Sequence, residues 1–412
     1  MRRASLEFMP LESANSLVEA KSAAPADEAG PPEVQIRHDI LRLLLIGPMS
    51  TEIGGTTISF SLLIKCLQGR SDVRIMTLDT QGIRSGGPLA PCRFAKLLFS
   101  MVRQAPLCDI ISLHANVTAI PFVGPPVLAI ARVFNRPVVF RMFGGMGYDG
   151  LRGLQAWITK FFCRRCDLYL AQTKALVNAA SREGIHRVRW FPTSRPVCEN
   201  AVQAHSASQK CRRFVFVGLL RVEKGLLVLI QAAKGLPKDC VVDVYGPWSG
   251  LAKDTFSNSG RVRYCGVIAP AEVTATMKRY DALLLPSFLK DEGYSGVIFE
   301  AYSVGIPVIA TRWNALPEIV LDGQTGLLVE PMDPASLCAA MLQLVQDDAL
   351  YARVSKGAAG FGRQFSTESQ AERFVSYCRE LLMTEPSEVG QGLARNASAT
   401  RPSGRNQSIG KV

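Results

Sequence analysis

Ten short apolar runs, falling into two series of five, constrain the fold of this chain more than any other feature. The first series is "LRLLLIG", "DVRIMTL", "DIISLH", "PVVFRMF" and "DLYLA"; the second is "RFVFVG", "CVVDVYG", "ALLLPS", "IPVIAT" and "GLLVE". Each is too short for a helix and closes on Gly, Pro or a polar residue, and amphipathic segments separate most of them. An uninterrupted apolar run marks a strand buried on both faces, and strands that alternate with helices pair in parallel. Two such series predict two doubly wound, Rossmann-like α/β domains facing across a cleft. The polar stretch "ENAVQAHSASQK" separates the series and places a hinge near residues 196–210. The expected division is 37–205 for the first domain and 206–385 for the second, the latter with a terminal helix. A chain of 412 residues, 48% of them hydrophobic, is also too large for one ordinary core. In open sheets of this kind ligands bind beyond the carboxyl ends of the strands, so the crevice between the domains is the expected site.

Residues 1–36 and 386–412 are rich in Ala, Ser, Gly, Pro, Glu and Arg, lack periodicity, and are expected to be disordered tails. Eleven cysteines scattered through a long chain do not make the dense, even framework of a small secreted protein, so a reducing compartment and buried thiols are expected. Cys163 and Cys166 have C-x-x-C spacing, but no second pair or nearby histidine completes a zinc site, so packing is the expected role and no metal is expected. No apolar core of signal length follows "MRRASLEFMP", and no stretch of about 18 uncharged apolar residues suggests a membrane span. The expected location is cytoplasmic. An NAD-dependent oxidoreductase would need G-x-G-x-x-G directly after a strand, which is missing.

The chemistry concentrates in "DEGYSGVIFEAYSVGIPVIATRWNALPEIV", Asp291 to Val320. The strand "ALLLPS" feeds a loop carrying Glu292, and a helix starting near Ser295 or Gly296 carries Glu300 in its early turns. Gly293 and Gly296 allow backbone to approach a ligand closely, and the unpaired N–H groups of a helix start favour an anion such as a diphosphate. Carboxylates beside a diphosphate would repel it, so both glutamates are expected to accept hydrogen bonds from hydroxyls, which sugars and riboses supply.

This stretch resembles the E-x7-E signature of the retaining glycosyltransferases of family four, which have the GT-B fold. The likeness runs through "RFVFVGLLRVEKGLLVLIQA", "RVRYCGVIAPAEVTATMKRYDALLLPS" and "GIPVIATRWNALPEIVLDGQTGLLVEPMDPASL", and so covers most of residues 212–345. It implies that Glu300 holds the ribose hydroxyls of a nucleotide sugar and that Glu292 lies near the transferred sugar. Backbone from Gly293 through Tyr294 and Ser295 to Gly296 would contact sugar and diphosphate. In "VGLLRVEKG" the strand ends at Gly218, and Arg221 and Lys224 follow as candidate cations for the leaving group. Here the chain departs from the family, because Leu219 stands where an arginine is usual.

The amino-terminal half resembles the family more loosely. Gly54 and Gly55, in "GPMSTEIGGTTISFSLLIKCL", match a glycine loop that faces diphosphate and acceptor, and Phe143 stands where many relatives have a histidine. His114, at the end of "DIISLH", is a candidate cleft residue, and a structural role for it is an equal alternative. Residues 92–165 carry ten Lys or Arg against two acids, Asp109 and Asp149, a local balance of +8 within the chain's +12. Aromatic residues interleave with this charge in "LQAWITKFFCRR", which suits an anionic membrane surface; solvated helix faces remain an alternative. No nucleic-acid-binding module accompanies the charge.

The expectation is therefore a GT-B hexosyltransferase acting with retention. It would move a sugar from a nucleotide diphosphate sugar, its donor substrate and not a cofactor, to a hydroxyl of a glycan or lipid-linked acceptor. Such acceptors include polysaccharide and lipopolysaccharide precursors, as in exopolysaccharide biosynthesis, and the enzyme would sit in the cytoplasm or peripherally on the membrane's cytoplasmic face. Two alternatives stay open: a non-catalytic nucleotide-sugar-binding subunit, and a phosphorylase or synthase of the same fold.

Overall fold

A computed structural model describes residues 40–49, 55–81, 83, 90–144, 152–185, 187–197, 210–252, 254–256 and 259–383. The expected tails, 1–36 and 386–412, lie outside the described residues, as does Gly54.

The first half winds in the order β1 (Leu41–Gly47), α1 (Gly55–Gln68), β2 (Val73–Asp79), α2 (Ala90–Gln104), β3 (Ile110–Asn116), α3 (Ile120–Val133), β4 (Val138–Phe143), α4 (Gly153–Arg165), β5 (Leu168–Ala171), α5 (Lys174–Arg182) and β6 (Val188–Trp190). The second half continues with β7 (Arg213–Val217), α6 (Leu226–Ala233), β8 (Val241–Tyr245), β9 (Val262–Tyr264), α7 (Val273–Met277), β10 (Ala282–Leu285), α8 (Gly296–Ser303), β11 (Val308–Thr311) and β12 (Gly326–Val329). Helices α9 (Pro334–Gln346), α10 (Asp348–Gly362) and α11 (Thr367–Met383) close the chain. Each set of six strands forms a wholly parallel sheet, in the order β2-β1-β3-β4-β5-β6 and β12-β11-β10-β7-β8-β9.

Continuous apolar strands give these sheets two buried faces. In the first sheet Leu44, Ile46, Ile111, Leu113 and Phe140 enter the core beneath α2 to α5, while Leu43, Leu45, Ile110, Val139 and Leu170 enter a second core on the opposite face. The second sheet repeats the arrangement, with Phe214, Phe216 and Leu284 on one side and Val215, Leu283 and Leu285 on the other. Each fully buried Leu or Phe of this kind contributes about 2 kcal/mol of transfer free energy.

One expected boundary is corrected. The terminal helix was expected to complete the second domain, but α11 crosses back and places Ala371, Phe374, Val375 and Cys378 in the core of the first, among Leu41, Phe60 and Leu63. Arg379 then reaches Asp72 at 2.8 Å. The two chain crossings lie side by side, because Arg195 N–H donates to the Phe365 carbonyl at 3.1 Å and Thr367 N–H to the Arg195 carbonyl at 3.2 Å.

In the second sheet the chain runs from β7 outward to β9, then returns to β10 on the other side of β7. The loops after β7 and β10 thus diverge from neighbouring strands at the point where the winding reverses, which is where open α/β sheets bind ligands.

Candidate active site

After β7, Gly218 and Leu219 lead into a single 3-10 turn, Val222–Lys224, closed by Gly225. Gly225 has φ +79°, and a Cβ there would lie 2.0 Å from the Pro286 carbonyl oxygen at the end of β10. Only glycine combines that backbone with so close an approach. Its effect is to press the two loops together, and Phe288 N–H donates to the Glu223 carbonyl at 2.8 Å.

The same contact brings Lys224 to Glu292, with Nζ 2.7 Å from Oε2 and 3.0 Å from Oε1. The Ser287 hydroxyl donates to Oε2 as well, at 2.5 Å. Glu292 is 5% exposed, so the carboxylate is desolvated and its acceptor capacity is met by Lys224 and Ser287 together.

Helix α8 begins at Gly296 behind Ser295, which does not use its side chain as a cap. Its first amides are therefore not taken up by a side-chain acceptor at the N-cap, and Glu300 lies one turn further along. The Glu300 carboxylate accepts from Arg195 Nε at 2.6 Å. Arg195 comes from the segment after β6, and its Nη1 also donates to the Ser59 hydroxyl of α1 at 3.2 Å and to the Ser194 carbonyl at 2.9 Å. Its Nη2 lies 1.9 Å from where a Cβ on Gly296 would stand, so the guanidinium rests directly on the start of α8.

Two further contacts join the halves. Gln172, just past β5, donates to the Tyr294 carbonyl at 3.3 Å and accepts from Gly144 N–H at 2.8 Å, and it also bonds the Thr193 hydroxyl. Glu318 accepts from the Lys174 and Ala175 amides at the start of α5, at 2.7 and 2.9 Å, and from the Tyr294 hydroxyl at 2.5 Å. An acid at a helix start suits the positive end of the helix dipole. Burial, with the Glu318 bond second, pushes the Tyr294 phenol far above its ordinary range, so it stays a donor.

These elements enclose a cavity of about 360 Å³. Of the candidate residues, Gly55, Gly218, Lys224, Glu292, Gly293, Tyr294, Ser295, Gly296 and Glu300 line it, as do Phe143, Gly144, Gln172, Thr193, Arg195 and Leu219. Gly55 begins α1 with open space beside it.

Two candidates stand elsewhere. Arg221 is not in the cavity wall; its guanidinium meets the neighbouring Glu223 at 3.4 Å on the surface. His114 is wholly buried, with Nε2 3.0 Å from the Ser112 hydroxyl and its ring centroid 4.6 Å from Phe60 and 5.9 Å from Phe374. The strand register explains this: His114 stands two positions short of Asn116, the exposed end of β3, and its side chain points into the core and not into the crevice. Burial, reinforced by Arg141, holds the imidazole pKa well below its ordinary value.

Sequence reasoning missed Arg195, Gln172 and Glu318. Each acts on a residue more than 120 positions away, or 105 in the case of Arg195 and Glu300, and none lies in a recurring local pattern. The only local signal at Arg195 was its place in "FPTSRPVC", an arginine at the end of the first domain beside the expected hinge.

Comparison with known proteins agrees with this architecture. Residues 211–347 match the family model of glycosyl transferases group 1. A D-inositol 3-phosphate glycosyltransferase of Corynebacterium efficiens is 31% identical over 200 residues, 45% of this chain and 46% of that protein. An uncharacterised glycosyltransferase of Methanocaldococcus jannaschii is 32% identical over 158 residues, 37% of this chain and 44% of that one. The chain thus spans about half the length of the curated relatives it matches. Among solved structures, HepE of Anabaena in complex with UDP superposes with a TM-score of 0.64 at 17% identity, covering 82% of this chain and 100% of that one. Sucrose-phosphate synthase of Thermosynechococcus elongatus gives 0.64 at 18% identity, covering 83% and 99%. Residues 211–347 are thus similar to the glycosyl transferases group 1 family, and the two parallel sheets have the GT-B fold.

Proposed function

We propose that this protein is a retaining glycosyltransferase that takes a sugar from a nucleoside diphosphate sugar and transfers it to an acceptor hydroxyl. The observation that carries the proposal is the meeting of Lys224, Glu292, Glu300 and the start of α8 around one cavity, at the point where the winding of the second sheet reverses. Glu300 would accept from the ribose hydroxyls, and the amides from Gly293 to Gly296 would face the diphosphate and sugar. Lys224, oriented by Glu292, would stabilise the charge that develops on the departing diphosphate. The bond from anomeric carbon to phosphate oxygen breaks, the acceptor oxygen bonds on the same face, and the acceptor proton leaves with the diphosphate. HepE has been solved with UDP and with UDP-glucose, which supports a uridine diphosphate sugar as the first donor to try.

The acceptor would enter over the first domain, past Gly55, Phe143 and Gly144. A lipid-linked acceptor is favoured by the outer surface of that domain, where Trp157 and Phe161 are exposed and stack at 5.4 Å beside Arg165. No helix among the described residues is long and apolar enough to cross a membrane.

Calorimetry with UDP and single-turnover assays with UDP-sugars test the donor assignment. Glu300→Ala is expected to weaken UDP binding by about 1.5–3 kcal/mol, the loss of hydrogen bonds to a charged acceptor in a partly dry site. Glu292→Gln, which keeps shape but not charge, is expected to lower turnover far more than UDP affinity. Small, equal effects of both substitutions on both quantities would remove the donor site from this cavity. Stoichiometric binding without hydrolysis or transfer would point to the binding-subunit alternative, and an inverted anomeric product would overturn retention.

A further inference from the structure

The Arg195 guanidinium is held in an electrostatically unusual place. It rests on the first residue of α8, the positive end of that helix dipole, where a cation is disfavoured and an anion welcome. A second arginine stands close behind it. Arg141 is fully buried between the rings of Phe143 and Phe191, at 4.6 and 4.5 Å, and reaches the Pro192 carbonyl only at 3.4 Å. Among the described residues its Nε has no hydrogen-bond partner and no carboxylate pairs with it. Burial first, and Arg195 second, bring its pKa down to about 9. Among the described residues, Glu300 on Arg195 is thus the carboxylate paired to this couple of neighbouring arginines.

The loop that would ordinarily bring charge to a diphosphate supplies little. Leu219 offers none, Arg221 is turned onto Glu223, and Lys224 brings a single ammonium that it shares with Glu292. An approaching nucleotide therefore finds its strongest available fork of donors not on that loop but on Arg195, which comes from the other domain's side of the cleft.

We propose that Arg195 is a donor-binding residue that exchanges partners, giving up Glu300 to the ribose hydroxyls and turning its guanidinium onto the diphosphate at the start of α8. This rests on the donor reading above and adds to it. The exchange keeps the account of charges closed: Glu300 trades one donor set for another, and Arg195 trades a carboxylate for a phosphate, a bidentate match for its planar fork. Ser59 and the Ser194 carbonyl, which hold Nη1, act as the pivot. Because Ser59 lies on α1 and Glu300 on α8, the swing also reports donor arrival from one domain to the other.

The proposal makes opposite demands on two ligands. For Arg195→Gln, UDP affinity measured by calorimetry is expected to fall about tenfold or more, the scale of a lost charge-assisted pair. Uridine, which lacks phosphate and competes with Arg195 for Glu300, is expected to bind as well as before or better, by NMR titration. Arg195→Lys keeps the charge without the fork and is expected to recover part of the UDP affinity, and thermal melting of both variants reports the fold. A uniform loss of both ligands in both variants would make Arg195 a structural strut and overturn the proposal, as would unchanged UDP binding. Should Arg195→Gln fail to fold, the lysine variant decides alone: UDP weakened with uridine spared supports the exchange, and any other pattern overturns it. Wild-type protein that binds neither ligand would instead sink the donor reading itself, so the two failures are distinguishable.

Discussion

At the scale of single residues, burial decides what a titratable group is able to do. His114 sits near the carboxyl end of a central strand, where open α/β sheets commonly bind ligands, yet its ring is packed among Phe60, Phe143 and Phe374 and bonded to Ser112. A charged imidazole in that core would face Arg141 and lose its hydration, so the folded pKa is depressed. The sign follows from linkage: the unfolded chain takes up a proton near the ordinary value of 6.5 while the folded chain does not, so the stabilisation is complete above that pH and lost as pH falls below it. Stability should decline by about 1.4 kcal/mol per pH unit below that point until the buried ring charges or the chain unfolds. Urea titrations between pH 7.5 and 5 are expected to show this slope in the wild type and a flatter one in His114→Leu, whatever the variant's absolute stability. Equal slopes would mean that the ring is not held neutral. Asp72, whose pKa the Arg70 hydrogen bond pulls down to about 2 against burial, with Arg379 adding to the pull, acts at a lower pH and does not obscure the window. The other three histidines, His38, His186 and His205, lie outside the described residues.

At the scale of elements, the site is placed by how closely two loops approach, and Gly225 sets that distance. Gly184, beyond the end of α5, has a similar backbone, φ +74°, but open space where a Cβ would go. Gly184→Ala should therefore cost only the left-handed strain, about 1 kcal/mol. Gly225→Ala adds a collision with Pro286, and should cost about 3 kcal/mol or more while also weakening UDP binding by displacing Lys224. Matched thermal melts of the two variants check this, and similar losses would show that the loops have room to part. The same contrast between local and distant causes explains how much of the molecule was legible in sequence. Strands such as β1, β3 and β10 announce themselves because burial on both faces forces unbroken apolar runs. Strands β6 and β9, "VRW" and "VRY", are edge strands of only three residues with an arginine at the centre, too short to form such a run, so neither stood out. Glu292, Glu300 and Lys224 were legible because loop glycines and helix start lie within a few residues of them. Arg195 was not, since its role exists only once β6 and α8 have been brought together by tertiary folding. The structural side of His114 was an even alternative that the register of β3 decides.

At the scale of the whole molecule, the halves are tied by two chain crossings, by α11 and by Glu318 on α5, and the outer surface of the first domain remains open. Helices α2, α3 and α4 share one face of the first sheet and expose Phe99, Phe122, Val133, Leu154, Trp157 and Phe161. The charge on this surface is less free than a count of residues suggests. Lys160 and Arg164 both pair with Glu183, at 2.7 and 3.3 Å, and Arg132 approaches Asp167 at 3.7 Å. Reversing Lys160 and Arg164 would thus disturb a structural cluster, whereas Trp157, Phe161 and Arg165 form an exposed aromatic and cationic patch. If that patch rests on an anionic bilayer, each cation near the surface contributes about 1 kcal/mol and the two rings insert at the interface. Binding to vesicles containing anionic lipid is expected at low salt and to weaken toward 1 M, where the screening length shortens from about 10 Å to about 3 Å. Trp157→Ala with Phe161→Ala should lower vesicle affinity about tenfold, close to 1.4 kcal/mol, and Arg165→Glu should steepen the loss in anionic vesicles but not in neutral ones. UDP binding should be untouched by all three changes, since none of these residues lines the cavity proposed to hold the donor. Sedimentation that ignores salt and these residues would leave the patch as ordinary solvated surface and direct the search toward a soluble acceptor.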